Sequence, residues 1–217
     1  MRGVPWRGMR WRGMPWRGMP WKGMPLRWLT LYARSRQVPA SCAALVIGTV
    51  AVWTLAPDTG SGPADPRLPV LALATGVLAA SVGLGGQDLA LDRTAAIRWV
   101  PRRAAHVLLA GAVIAVVLLA VQELGGTPLA GTGFVVRDSA GLTGLAALGA
   151  ALAGAQYAWS LPFAWLSLTF LSPPATSTPT RLATWLLLPP GTPAATWTAL
   201  LLLGVGTTAY AFAGPRR

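Results

Sequence analysis

Five times between Val38 and Ala213 the chain runs for 17 residues or more without an Asp, Glu, Lys or Arg. Runs of Leu, Ala, Gly and Val at that length approach the roughly 20 residues a helix needs to cross a ~30 Å hydrocarbon layer. They imply an all-α polytopic membrane protein. Charge is scarce to match: 11% of the residues are charged and 53% are apolar, against roughly 25% charged in a soluble domain. The single cysteine, Cys42, has no disulfide or metal-binding partner and reads as a small packing residue. The single histidine, His106, has no nearby carboxylate or thiol with which to form a metal site or a triad. A net charge of +12 would point a soluble chain toward nucleic acid. Here anionic headgroups account for it better, and no nucleic-acid partner is expected.

Taken in order, residues 1–25 repeat a five-residue unit, MRGVP WRGMR WRGMP WRGMP WKGMP. Five matches neither a helical nor a strand period, and Gly and Pro in each unit break both, so extended or turn-like backbone with little fixed structure is expected. Trp beside Arg suits a headgroup layer, but an expanded coding sequence, or a start placed too early with Met9, Met14, Met19 or Met24 as the real one, is the stronger explanation of the regularity. The repeat lacks the apolar core and cleavage site of a signal peptide. Residues 26–37 mix apolar side chains with Arg27, Arg34 and Arg36 around Trp28 and Tyr32, the composition of a short helix lying in the interface.

The transmembrane part is expected over 38–214, with spans near 38–56, 68–84, 104–121, 140–155, 158–171 and 195–213. The uncharged stretch 139–172 would make about 51 Å of helix, too long for one ordinary span and short for two. Pro162 and the polar residues 156–160 favour a hairpin, and Gly141, Gly144, Gly149 and Gly154 would let the fourth span pack closely. Between Pro173 and Pro193 the segment RLATWLLL is too short to cross, so it dips into the membrane or lies on it. With six spans and a cytoplasmic N-terminus, fifteen basic residues fall inside and only Arg67, Arg137 and Arg181 outside, a clear positive-inside bias. Merging the fourth and fifth spans would move Arg216 and Arg217 outside. The six-span count places both termini in the cytoplasm.

Chemistry is concentrated in Gln87–Arg103, QDLALDRTAAIRWVPRR. Asp92 is placed to cap a short helix from Arg93 to Trp99, ending as Pro101 pushes Val100 out of helical geometry. Asp88, Asp92 and Trp99 share one face and Leu89, Ala96, Ile97 and Val100 another, so one side suits the bilayer and the other a cytosolic partner. A plain loop obeying the positive-inside rule also fits. The only lysine, Lys22, lies in the repeat, so the chain has no P-loop. It also lacks facing carboxylates, Glu-x-x-His and Gly-x-Ser-x-Gly, which argues against an enzyme. Glu123 would relay protons only if it faced a cavity, and otherwise sits in the outer interface.

The order of parts resembles the permease subunit of type-2 ABC exporters, in the small six-span form found in bacteria with GC-rich genomes. LYARSRQVPA before the first span, LDRTAAIRWVPRRAAH in the loop and RDSAGLTGLAALGA at the fourth carry the resemblance over residues 26–214. It implies a transporter subunit of the bacterial cytoplasmic membrane that binds no cofactor itself, with ATP and Mg on a separate ATPase subunit and a second permease protomer completing the path. By that resemblance Asp88, Asp92, Arg93, Arg98, Trp99, Arg102 and Arg103 belong to the coupling element, and Gln156, Tyr157 and Trp159 to a smaller second contact. Readings from other classes are a membrane-bound accessory or immunity protein and an ion-coupled carrier.

Overall fold

Residues 38–55, 65–85, 99–125 and 129–216 are described by the computed structural model, and over them the only regular structure is helical. Seven α-helices follow in order: α1 (Val38–Leu55), α2 (Arg67–Ser81), α3 (Trp99–Gly125), α4 (Thr132–Ala153), α5 (Ser160–Leu171), α6 (Thr178–Ala183) and α7 (Pro193–Ala213). Single 3-10 turns lie at Val82–Leu84, Ala155–Tyr157 and Trp185–Leu187. Six of the seven helices carry a proline in their first turn: Pro39, Pro69, Pro101, Pro162, Pro179 and Pro193. An N–H there has no partner within the helix, so its loss costs little and the ring presets φ.

Among the described residues four elements are long and apolar enough to cross a membrane: Arg67–Leu84, α3, α4 and α7. The first helix adds a shorter apolar stretch, Pro39–Val52. The chain is therefore a multi-pass membrane protein. α4 is its axis, because 78% of its most apolar window is buried inside the protein against 28% for α3 and α7. α2, α3, α5 and α7 all pack on it, while α1 packs mainly on α2 and α3.

Glycine makes the tight approaches possible, as expected for the fourth span. At the α4–α7 crossing, backbone meets backbone: a methyl on Gly144 would fall on the Leu202–Leu203 peptide, and one on Gly206 would fall on the Gly144 carbonyl. One turn earlier, Gly141 receives the flat ring of Trp185, and at the far end Gly149 lies against the Ala158 backbone.

The boundaries depart from expectation where proline was taken to end a helix. α3 runs from Trp99 through Val100 and Pro101 instead of starting at 104, because Pro101 falls in its first turn. α4 begins at Thr132, two turns before 140, and so takes Arg137 and Asp138 out of the preceding loop and into the helix. The break between α4 and α5 comes at Gly154, whose φ of 103° only glycine adopts without strain. α5 has 12 residues, about 18 Å at 1.5 Å per residue, well short of a full crossing. The segment expected to dip or lie flat, α6 with its following turn, is drawn in against the bundle. Trp185 and Leu186 are fully buried, and the Thr169 hydroxyl of α5 donates to the Ala183 carbonyl at 2.8 Å.

Candidate functional site

One end of the bundle collects the last turn of α2, the start of α3, the α4–α5 connection and the C-terminal tail. The last turn of α4 leaves carbonyls open to donors from outside the helix, and that of Ala150 takes a donor from the tail besides the Gly154 N–H. The Arg216 N–H donates to the Ala150 carbonyl and its guanidinium to that of Leu152, both at 3.2 Å. A cation there also complements the negative end of the helix dipole. The Tyr210 hydroxyl donates to the Leu84 carbonyl at 2.7 Å, fixing α7 to the end of α2. Ala155 packs near Gly85, and the Arg103 guanidinium lies against Gly214.

Of the residues predicted to form the partner contact, Trp99, Arg102 and Arg103 stand at this end. Trp99 is half-buried, and Arg102 is exposed with its guanidinium 6.0 Å from the Trp99 ring centroid. Asp88, Asp92, Arg93 and Arg98 lie outside the described residues, as do Arg27, Trp28, Tyr32, Arg34 and Arg36 of the expected interfacial helix. The smaller predicted contact is at the same end. Gln156, Tyr157 and Trp159 are all exposed, and Trp159 meets Phe163 edge to face with centroids 6.0 Å apart. Among the described residues this end carries Arg102, Arg103 and Arg216 and no carboxylate.

The opposite end is mixed in sign, holding Asp65, Arg67, Glu123, Arg137, Asp138 and Arg181. Glu123, the carboxylate an ion-coupled carrier would use, is exposed near the end of α3. Two of these six charges, counted among the described residues, are buried side by side. The Arg137 Nε donates to Asp138 Oδ1 at 2.7 Å, its two terminal nitrogens donate to the Pro189 and Leu188 carbonyls at 3.0 and 2.9 Å, and the Phe134 ring centroid is 4.9 Å away. Asp138 is fully buried and Arg137 nearly so. A guanidinium fork suits this task, since one planar group reaches three oxygens on two segments. It ties the residues just after the Trp185–Leu187 turn to the central helix.

Sequence reading missed this clamp by treating Arg137 as a loop charge and Asp138 as the end of a Gly-rich loop. The available signal was the adjacent Arg–Asp pair at the head of a long stretch free of proline. No group of three or more His, Cys, Asp or Glu side chains among the described residues is arranged to hold a metal ion. No protein-family model, curated protein or solved structure matches the chain.

Proposed function

We propose that this chain is the membrane-spanning subunit of an ATP-driven exporter of the bacterial cytoplasmic membrane, working with a separate nucleotide-binding subunit. What carries the reading is the convergence of two stretches far apart in sequence. Trp99–Arg103 and Gln156–Trp159 reach the same end of the bundle, aromatic and basic, with Arg102, Gln156, Tyr157 and Trp159 exposed and no carboxylate among the described residues there. With that end in the cytosol, the orientation follows the excess of Lys and Arg on the inner side.

Nucleotide and Mg belong to the partner subunit in this scheme, and this chain supplies the docking surface and the wall of the path. α5 and the clamped α6 segment together take the place of a fifth span, giving six crossings in all. A second permease protomer, the same chain or a related one, faces the first. Closure of the ATPase pair would push on the basic end and shift the helices rooted there, α3 and α7, against α4. The export substrate is amphipathic, since the described spans offer carbon surface and few charges.

Co-purification of the full chain with the nucleotide-binding subunit tests the reading. Replacing Tyr157 and Trp159 with Ala should lower recovery of that subunit at least tenfold, because exposed aromatics of this kind carry much of an interface's energy. Trp197→Ala, on the exposed side of α7, should leave recovery unchanged. Equal recovery from all three proteins would remove the docking surface, and transport that persists without any ATPase would remove the exporter.

A further inference from the structure

Between α1, α2 and α3, in the half of the bundle nearer the basic end, lies a cavity of about 220 Å³. Leu45, Ala80, Ala110 and Ile114 give it carbon walls, and Ser41 and His106 mark its end toward the basic residues. Leu109 also lines it and is 62% exposed, so the cavity reaches the outer surface of α3. In a bilayer that surface faces lipid.

Size narrows the occupant. The space exceeds the roughly 150 Å³ apolar cavity that admits benzene and falls below the ~300 Å³ at which pockets begin to enclose a whole drug-sized molecule. Its lining on α3, from His106 to Ile114, covers about 12 Å of helix length. A stretch of one alkyl chain fits, and the rest of its molecule must lie outside.

Charge indicates what that rest is. Arg102 and Arg103 precede His106 by four and three residues, about one turn nearer the headgroups; the Arg102 side chain is exposed on the side of the slot, while the Arg103 guanidinium lies against Gly214. Neither forms an ion pair among the described residues, where the one ion pair is Arg137 with Asp138. Trp99, beside Arg102, has the amphipathic ring favoured at the membrane interface.

We infer that this slot holds one acyl chain of an anionic phospholipid, with the lipid's phosphate at Arg102 and the charge of Arg103 beside it. Basic residues at the cytoplasmic rim of grooves between helices bind lipid phosphates in this manner. The site does not depend on whether an ATPase docks, so each conclusion can fail without the other.

The full chain, released from detergent micelles containing equal amounts of phosphatidylglycerol and phosphatidylcholine, is examined by native mass spectrometry. One retained phosphatidylglycerol per chain is expected, preferred over phosphatidylcholine by tenfold or more. Replacing Arg102 and Arg103 together by Gln should cut that preference by roughly tenfold to thirtyfold while a lipid is still retained. Ala110→Trp, which fills the slot, should abolish the retained adduct, and Ala80→Phe does the same from the opposite wall should the first variant not fold. Cys42, the chain's only cysteine and part of the lining, gives a second readout. Its alkylation by N-ethylmaleimide should slow severalfold when phosphatidylglycerol is supplied to the wild type, and not in the filled variants. Equal retention of the two lipids by the wild type overturns the site. So does phosphatidylglycerol that stays bound to a folded, slot-filled variant, which would be adventitious surface lipid only.

Discussion

At the scale of single residues, the strongest commitment in the molecule is the buried Arg137–Asp138 pair. Two charges taken out of water cost several kcal/mol each in desolvation, and the pair persists only because each partner is matched. Arg137 has a carboxylate, two carbonyls and a ring around it. Asp138 has little besides the arginine, since its Oδ2 is buried with no hydrogen-bond partner in the protein. That asymmetry makes a directional prediction. Arg137→Ala strands a buried carboxylate and should cost about 3–5 kcal/mol. Replacing both residues with Ala should recover a good part of that loss, and Arg137→Lys should fall between, because an ammonium lacks the fork that spans Asp138 and the two carbonyls. Thermal unfolding in detergent of the wild type, Arg137→Ala, Asp138→Ala and the double variant closes the cycle. A double variant as damaged as the two single losses summed would mean the pair is not coupled.

At the scale of elements, the α4–α7 crossing depends on what is missing from two side chains. Gly206 and Gly144 bring the helices into backbone contact, and an alanine methyl at 206 would lie 2.7 Å from the Gly144 carbonyl carbon. No rotamer change relieves a clash with backbone, so Gly206→Ala should cost about 1–3 kcal/mol or more as the helices separate. Gly204, one residue from the same crossing, has nothing within 4 Å of a built Cβ. Gly204→Ala should therefore gain about 0.5–1 kcal/mol from helix propensity alone. Melting temperatures moving in opposite directions for two glycines two residues apart would confirm the crossing, and equal shifts would refute it. The small-residue spacing of the fourth span was legible in the sequence, because Gly141, Gly144 and Gly149 recur where a neighbour needs room. Its partner was not, since Gly204 and Gly206 look alike until the helix has a rotation. Pro101 misled for a related reason. It reads as ending a short helix because proline pushes the residue before it out of helical geometry, yet it falls in the first turn of the helix ahead, where it is favoured; Pro162 marked the α4–α5 hairpin correctly. The same letter marks an end or a beginning according to which side the helix lies. The buried clamp stayed hidden because hydropathy treats Arg137 and Asp138 as reasons to end a span, and their partners, the Leu188 and Pro189 carbonyls, are more than fifty residues away.

At the scale of the whole molecule, the ends of the bundle differ in kind, and this fixes what the uncharged stretch 139–172 must do. Gln156 and Arg216 belong to the end where the tail closes over α4, and Glu123 belongs to the opposite end with Arg137. Arg181 joins Glu123's end because the segment following it is held by Arg137. The chain therefore leaves the Gln156 end in α5 and arrives near the Arg137 end by α6, although α5 is only about 18 Å long. The remaining depth is filled by the Trp185–Leu187 turn, whose tryptophan rests on Gly141 about two and a half turns into α4. Single cysteines in a Cys42→Ser background put this to the test. In intact cells an impermeant maleimide should label Glu123→Cys and Arg181→Cys directly, and Gln156→Cys and Arg216→Cys only after permeabilisation. The reverse pattern would invert the protein and place its basic end outside, against the positive-inside bias. Labelling of 181 together with 156 would mean that α5 turns back without crossing. The Arg137 clamp on Leu188 and Pro189 could not then exist, because it requires 181 and 123 to share a side.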